Sequence, residues 1–222
     1  VLSEEEALSI ASISRERGVL FMEAMKNRFC PMRTRVKDLL ASGELGRIVS
    51  IESVQKLDYG EPPSGYLLDP LQGGCLYDMG CYAVGWFEDL LAGACEVSSR
   101  EVRWRDVSGG RVDWADEIHM SVGGIPIHMV CDGKATYESR LTIACERGSL
   151  EIERLHRPEL AHVKYSDGRT LEINAPFAVD DFYGEIQHAT QLIQAGKLES
   201  PIMSLAATQR CAHIIDAIRL AL

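Results

Sequence analysis

The chain is organised around the stretch GGCLYDMGCY, which occupies residues 73–82. Apolar residues recur three and four positions apart over residues 76–91, and this spacing predicts an amphipathic helix. On that helix Asp78 and Tyr82 are four residues apart, so their side chains should project from the same face. A carboxylate beside a phenol is a candidate proton-transfer pair, and Gly80 between them would let a ligand approach the backbone closely. A buried helix whose Asp and Tyr are merely hydrogen-bonded is the alternative explanation.

The composition argues against several classes of protein. The formal net charge is −10 and the basic residues are scattered, which disfavours binding to nucleic acid or to an anionic membrane. No apolar run approaches the ~18 to 20 residues of a membrane span, and the first residues do not have the pattern of a signal peptide. The seven cysteines form no C-x-x-C and no zinc-type spacing with histidine. We therefore expect free thiols, a cytoplasmic location and no metal site.

The first residues predict a helix followed by a strand. Ser3 and Glu6 form an S-x-x-E capping box, so a helix should cover residues 4–17 and end at Gly18. The four apolar residues 19–22 then predict a short, fully buried strand. This order is typical of the last unit of a parallel α/β sheet, although the sequence contains no other member of such a sheet.

Polar residues follow this predicted strand. Lys26, Asn27 and Arg28 come where the carboxyl end of the strand would border a crevice, so they are candidate substrate ligands. A solvated loop would explain them equally well. Further along, residues 58–72 hold three prolines and two glycines, and this loop leads into the central helix, where it could serve as a lid.

From Cys95 onward the sequence changes to short strands separated by tight turns, and such strands pair antiparallel. About six strands are expected there, followed by two helices that begin after Asp180-Asp181 and after Ser204. We therefore predict an α+β fold with an open, mostly antiparallel sheet and helices on one face. An open sheet with apolar residues on its uncovered face tends to associate, so we expect a homodimer or a higher homo-oligomer through that face.

One hairpin fixes its own register. With residues 123–124 as a two-residue turn, Val122 faces Ile125 and the apolar side chains of both strands share one face. The same register places His119 opposite His128 on the other face. A cross-strand histidine pair could hold a metal ion, but no third ligand is evident, so a half-solvated or interface-facing pair is preferred.

Several short motifs, taken in their order and spacing, resemble the glucose–fructose oxidoreductase / inositol dehydrogenase (Gfo/Idh/MocA) superfamily of NAD(P)-dependent sugar and polyol oxidoreductases. Tyr82 and the tail of the chain are most similar to the dimeric dihydrodiol dehydrogenase and xylose dehydrogenase branch. The motifs are, in chain order, residues 3–25, Arg28-Phe29-Cys30-Pro31, Ala41-Ser-Gly-Glu-Leu-Gly46, the central stretch 73–82, Cys145-Glu-Arg-Gly148-Ser-Leu-Glu-Ile and Gly196-Lys-Leu-Glu-Ser-Pro201.

The resemblance implies two domains. In the family an N-terminal Rossmann domain binds the dinucleotide, and an open-sheet domain supplies the substrate pocket and usually the dimer contact. We therefore expect residues 1–24 to be a remnant of the Rossmann domain and residues 25–222 to be the substrate-binding and dimerisation domain. The G-x-G-x-x-G fingerprint and the lysine of the family's Glu-Lys-Pro motif are both missing here. NAD or NADP would be bound by the full-length enzyme, mainly through residues outside this chain, and the chain alone should be inactive.

The resemblance also implies roles for single residues. Tyr82 would be the proton donor or acceptor on the reacting hydroxyl or carbonyl of a small, carbohydrate-like substrate, and Asp78 would position that substrate. Since an unperturbed tyrosine titrates near ~10, a nearby cation would have to lower its pKa, and the missing lysine is the expected one. Arg28 matches a turn that borders the active site, with Lys26 and Asn27 beside it. A non-catalytic, stand-alone dimerisation or sugar-binding module is the alternative function.

Overall fold

Eight strands and five α-helices make up the part of the chain that the computed structural model describes, residues 1–63 and 65–221. Short 3₁₀ helices cover Lys26–Phe29 and Gly65–Leu68, and a π-helical turn covers Leu76–Gly80. The other elements are α1 Glu4–Arg17, α2 Pro31–Ala41, β1 Ile48–Lys56, α3 Cys81–Leu90, β2 Cys95–Val107, β3 Gly110–Val122, β4 Ile125–Asp132, β5 Glu138–Cys145, β6 Gly148–Glu153, β7 Leu160–Tyr165, β8 Thr170–Asn174, α4 Tyr183–Gln194 and α5 Leu205–Leu220.

The strands form one open sheet in the order β2-β3-β4-β1-β5-β6-β7-β8. β1 lies parallel to β4, and the neighbouring strands elsewhere in the sheet pair antiparallel. The predicted α+β class and mostly antiparallel sheet are confirmed, with eight strands rather than about six. β1 precedes Cys95, and the strand after Cys95 that the sequence did not reveal is β8, a short and largely exposed edge strand that pairs with β7.

The core lies between one face of the sheet and the helices. Trp86 and Phe87 of α3 are fully buried against it, and each such side chain contributes about 1.5 to 3 kcal/mol by leaving water. The same packing overturns the expectation for Gly80. A Cβ on Gly80 would collide with Met129 of β4 and with Leu76, so this glycine lets the helix approach the sheet rather than a ligand.

The N-terminal helix forms as predicted, but the strand after it does not. Ser3 Oγ accepts a hydrogen bond from the backbone N–H of Glu6, and Gly18 ends α1 with a φ of +62°. Residues 19–25 pair with no strand, because no described parallel neighbour offers a ladder. α1 instead packs on α5, and its Ala7 and Ala11 are buried. The domain boundary near residue 24 stays a prediction.

The face of the sheet that points away from the helices is mainly polar. One row of side chains across four neighbouring strands illustrates this. It consists of His119, His128, Glu52 and Thr142, each paired with the next in the strand register. The apolar association surface expected there is therefore wrong in its chemistry, because polar and charged side chains occupy the alternate positions of these strands. Among the described helices, none has both the length and the apolar character needed to cross a membrane.

Candidate functional site

A cleft of about 330 Å³ opens at the carboxyl end of β1. The central helix forms one wall, and the start of β5 and the turn after β6 form the other. Asp78 and Tyr82 both line it, so the structure brings the predicted pair into one cavity. The polar side chains that line it with them are Gln55, Lys56, Tyr137, Ser139, Arg154, His156 and Arg157.

The central helix changes its winding within the stretch that opens it. Leu76–Gly80 is π-helical and Cys81–Leu90 is α-helical, where the sequence predicted one regular helix. Gln55 of β1 donates its side-chain amide to the carbonyl of Met79 in this wider turn. π-helical turns inside helices are frequent at functional sites, and this one sets the direction in which Asp78 enters the cleft.

Asp78 is held by two tyrosines that sequence reasoning missed. Tyr59 Oη donates to Oδ2 and Tyr66 Oη donates to Oδ1, each over 2.7 Å. Burial, together with the neighbouring carboxylate, raises the pKa of Tyr59 well above its ordinary value and the pKa of Tyr66 to about 12. Both phenols therefore stay protonated and keep donating. Each carboxylate oxygen retains a second lone pair that can accept a hydroxyl from a bound molecule.

Tyr82 is half-buried at the first turn of α3. Its backbone carbonyl accepts a hydrogen bond of 2.9 Å from the side-chain amide of Asn27. Burial, followed by nearby negative charges that include Asp78, raises the pKa of Tyr82 well above the ordinary value for tyrosine. The side chain is thus a protonated phenol at neutral pH, able to donate a proton but poor at accepting one.

Lys26 places a positive charge near the ring of Tyr82. Its Nζ lies 5.6 Å from the centroid of the Tyr82 ring and 4.5 Å from that of Phe182. A salt bridge of 2.6 Å ties the same Nζ to Asp181, whose carboxylate therefore offsets much of the positive charge. Lys26 thus lies close to the ring of Tyr82, whereas the pKa of that phenol is raised by its burial and by nearby negative charges.

Arg28 and Asn27 contact the helix rather than the cleft. Arg28 is buried, pairs with Glu88 at 2.5 Å and donates to the carbonyl of Gly85 at 2.9 Å. Asn27 holds the backbone of Tyr82, as described above. Direct substrate contacts of these two residues stay predictions, while their present contacts fix the position of α3.

His156 is a further cleft residue that the sequence did not single out. Its ring lies 5.9 Å from that of Tyr82, and its Nδ1 is 3.2 Å from Ser139 Oγ. Burial, followed by the positive charges of Lys26 and Arg157, lowers the pKa of His156 to about 4. The imidazole is therefore neutral at physiological pH and can exchange hydrogen bonds with a hydroxyl-bearing ligand.

The turn after β6 contributes cations to the cleft. Arg154 adopts a φ of +50°, the one positive φ outside glycine among the described residues. Such a backbone conformation costs energy in a non-glycine residue, and strain of this kind clusters at ligand-binding positions. Both arginines line the cleft, and Arg157 lies 3.7 Å from Asp181, close to the Lys26–Asp181 pair.

A larger cleft, of about 470 Å³, lies elsewhere, beside the end of α5. Its cations are engaged within the protein: Arg100 pairs with Asp116, Arg111 stacks on Trp104 at 4.1 Å, and Arg219 contacts Tyr77. The carboxylate–phenol pair lies in the smaller cleft, and we therefore take that one as the candidate site.

Several of these residues had weak signals in the sequence. Tyr59 and Tyr66 belong to the loop predicted as a lid, and the structure shows that this loop reaches the site through their hydroxyls. His156 and Arg154 follow a strand by only a few residues, which is a position where ligand-binding residues concentrate. Nothing local in the sequence indicates that the start of β5 and the turn after β6 face the central helix.

The structure thus defines an open-sheet α+β domain with a polar cleft beside its central helix. The sequence profile described as "GFO/IDH/MocA C-terminal domain" matches residues 34–151, which is more than half of the chain. The chain therefore belongs to the GFO/IDH/MocA family, as its motifs predicted.

Curated relatives match nearly the whole chain. The scyllo-inositol 2-dehydrogenase (NADP(+)) IolU of Bacillus subtilis is 26% identical over 220 residues, which are 97% of this chain and 66% of that protein. The trans-1,2-dihydrobenzene-1,2-diol dehydrogenase of Oryctolagus cuniculus is 29% identical over 98% of this chain and 68% of its own length. The D-xylose 1-dehydrogenase (NADP(+)) 2 of Haloferax volcanii is 30% identical over 80% of this chain and 48% of that protein. The chain thus spans about two thirds of the length of the first two relatives.

Solved structures share the fold. The 3-ketoreductase KijD10 of Actinomadura kijaniata, in complex with NADP and TDP-benzene, superposes with a TM-score of 0.85 at 21% identity, over 100% of this chain and 68% of its own. The aldose-aldose oxidoreductase of Caulobacter crescentus gives 0.84 at 17% identity, over 100% of this chain and 67% of its own. At these identities the likeness concerns the fold alone.

Proposed function

We propose that this chain is the substrate-binding and dimerisation half of an NAD(P)-dependent oxidoreductase that acts on a sugar, polyol or dihydrodiol, with Tyr82 as the acid/base. Family membership supports the class, because the relatives named above are inositol, dihydrodiol and xylose dehydrogenases. The observation that carries the proposal is the half-buried phenol of Tyr82 in the same cleft as the oriented carboxylate of Asp78.

The chemistry assigned to Tyr82 is a proton transfer at its Oη. In the reducing direction a carbonyl gains negative charge on oxygen and Tyr82 donates its proton there, and in the oxidising direction Oη accepts the proton of the substrate hydroxyl. The nicotinamide, when bound, supplies or accepts the hydride. Since burial raises the pKa of Tyr82, the chain alone favours the donating form. A cation from the dinucleotide-binding half would be needed for the accepting form.

Asp78 and the opposite wall of the cleft suit a ligand rich in hydroxyl groups. The two tyrosines hold Asp78 so that its free lone pairs can accept substrate hydroxyls. Ser139 and His156 can donate or accept, and Arg154 supplies donors from a strained turn. A carbohydrate-like molecule offers alternating donors and acceptors of this kind, and the cleft volume of about 330 Å³ is within the usual range for small-molecule sites.

The cofactor is NAD or NADP, and this chain would supply only a part of its surroundings. The sequence has no G-x-G-x-x-G fingerprint, and the described cleft has no glycine-rich turn that could cradle a pyrophosphate. We therefore assign dinucleotide binding mainly to residues outside this chain. The assignment of residues 1–24 to the Rossmann domain and of residues 25–222 to the substrate domain belongs to the same proposal. So does the expectation that this chain alone is inactive.

Replacing Tyr82 by phenylalanine in the full-length enzyme tests the proposal. Removal of one positioned acid/base group lowers turnover by about 10²- to 10⁴-fold, so we expect a loss of that size in kcat/KM for NAD(P)-dependent polyol oxidation. Tyr165→Phe is the matched control, because Tyr165 lies at the far end of β7 and does not line the cleft. An activity of Tyr82→Phe equal to that of Tyr165→Phe would refute the acid/base role.

The alternative is a non-catalytic sugar-binding or dimerisation module, and one observation favours it. The cleft already offers hydroxyl, carboxylate and imidazole groups from Ser139, Asp78 and His156, so a polyol could bind without any cofactor. Calorimetric titration of the wild-type chain with inositol and xylose, beside assays of the full-length protein, separates the two readings. Binding without turnover by the full-length protein would support the module, and turnover would support the enzyme.

Assembly and location are part of the same proposal. We expect a homodimer or a higher homo-oligomer through the outer face of the sheet, and the mainly polar character of that face means that the contact would be polar. No association with nucleic acid or with a membrane is expected. All seven cysteines are free thiols in this structure, which agrees with a reducing, cytoplasmic setting.

A further inference from the structure

The outer face of the sheet carries a cluster that the proposed function does not use. Glu117, His119 and His128 lie there, and one ligand atom from each lies within 4.8 Å of the other two. His119 is directly opposite His128 in the β3–β4 register. Glu117 precedes His119 by two residues on β3 and therefore points to the same face. We propose that these three side chains form a binding site for a divalent transition-metal ion of the Zn²⁺ type.

The donor set is one that zinc uses. Two imidazoles and one carboxylate leave a fourth tetrahedral position open for water or another ligand. Glu117 Oε1 already lies 2.9 Å from His128 Nε2, so the carboxylate and one imidazole converge. The sequence did not reveal this third ligand. The predicted register indicates which residues lie directly opposite each other, whereas Glu117 is a diagonal neighbour of His128.

The two imidazoles must reorient to receive an ion. The rings of His119 and His128 stack with centroids 4.6 Å apart and planes 9° apart. Two nitrogens bound tetrahedrally to one zinc ion are about 3.4 Å apart, given bonds of about 2.0 to 2.1 Å. One ring must therefore turn about its χ2 so that both nitrogens point at the ion. His119 is exposed on the sheet surface and has room for this rotation.

Two other clusters in the described chain are poorer candidates. His162, on the same face, contacts Glu153 at 3.1 Å and Glu172 at 3.9 Å but has no imidazole partner. In the buried cluster of Cys75, Asp113 and Asp116, the two carboxylates already accept hydrogen bonds, one from Arg100 and one from a backbone N–H. The paired imidazoles thus distinguish the proposed site, and His162 provides a matched control.

Cobalt(II) and zinc(II) titrations of the untagged, chelator-treated protein test the proposal. We expect one equivalent to bind, with visible cobalt absorption and without the near-ultraviolet band of cobalt–thiolate bonds, since no cysteine belongs to the site. His119→Ala and His128→Ala should weaken binding by about tenfold or more, because even outer partners of metal ligands change affinity by about 10- to 100-fold. His162→Ala should bind as the wild type does.

Glu117→Gln keeps a polar side chain of the same size and separates ligation from folding. It should weaken zinc binding while its circular dichroism and thermal unfolding match those of the wild type. The proposal is overturned if millimolar zinc does not bind, if the cobalt spectrum reports thiolate ligation, or if His119→Ala and His128→Ala bind as tightly as His162→Ala. None of these outcomes depends on the oxidoreductase function.

Discussion

The start of the central helix contains Asp78 and contacts the aspartates Asp113 and Asp116, and these two acidic sites differ in burial and in partners. On one side Asp78 lines an open cleft and accepts hydrogen bonds from two tyrosine hydroxyls. On the other side Asp116 is buried, pairs with Arg100 at 2.6 Å and lies 3.4 Å from the thiol of Cys75. Asp113 completes this second cluster by accepting the backbone N–H of Leu76 over 2.7 Å.

From this difference we infer that Asp78 is available to bind a ligand, whereas Asp113 and Asp116 hold the helix in place. The carboxylate of Asp78 keeps lone pairs that face the cleft, so a ligand can use them without breaking the fold. The carboxylates of Asp113 and Asp116 already accept hydrogen bonds from a buried guanidinium, from a thiol and from the first turn of the helix. We therefore expect changes on the Asp78 side to affect activity and changes on the Asp116 side to affect stability.

The largest effect on stability is expected from Asp116→Ala. The side chain of Arg100 is only 2% exposed, and removal of its partner would leave a buried, uncompensated charge. Breaking such a pair costs about 3 to 5 kcal/mol of unfolding free energy. Urea unfolding followed by circular dichroism measures the change. The control is Glu101→Ala on exposed β2, which should change the unfolding free energy by about 0.5 kcal/mol or less.

A second prediction concerns pH. Burial, followed by the negative charge of Asp113, raises the pKa of Asp116 to about 7 in the folded protein. As the pH rises, the carboxyl group of Asp116 therefore loses its proton at a higher pH in the folded protein than in the unfolded chain. The stabilisation from this group is complete below the ordinary aspartate pKa and is lost as the pH rises through about 7, with a slope of at most about 1.4 kcal/mol per pH unit.

Comparison with Asp116→Asn isolates this contribution from that of other carboxylates. The asparagine keeps an oxygen that accepts from Arg100 but does not titrate. We expect the difference in unfolding free energy between wild type and Asp116→Asn to vary between pH 4 and pH 7 and to be constant above about pH 8. A difference that is the same at every pH would show that Asp116 does not hold the proton.

Much of the fold was readable from local patterns. The caps at Ser3 and Ser204 form as predicted, since each hydroxyl accepts a backbone N–H three residues on. The register of the hairpin is confirmed down to His119 opposite His128, because a two-residue turn leaves the strands one pairing that buries the apolar side. These features depend on neighbours in sequence.

The predictions that were wrong or incomplete concern contacts with segments that are distant in the sequence. Val19 is 51% exposed, and its segment forms no strand, because a buried strand requires neighbours that its own residues cannot reveal. Gly80 faces Met129 because the helix lies close to β4 at that point. The tyrosine partners of Asp78 come from a loop whose path depends on the whole sheet. Asp78 and Tyr82 line one cleft because they follow each other on the central helix, and their catalytic roles stay predictions.

The most direct test of the account is to measure kcat/KM and unfolding free energy together for Asp78→Asn in the full-length enzyme. The substitution keeps the size of the side chain but removes its charge and turns one acceptor into a donor that faces a tyrosine hydroxyl. We predict a fall in kcat/KM of about 100-fold, with an unfolding free energy within about 1 kcal/mol of the wild type. Unchanged kcat/KM, or a stability loss as large as that of Asp116→Ala, would contradict the assignment of the cleft as the active site.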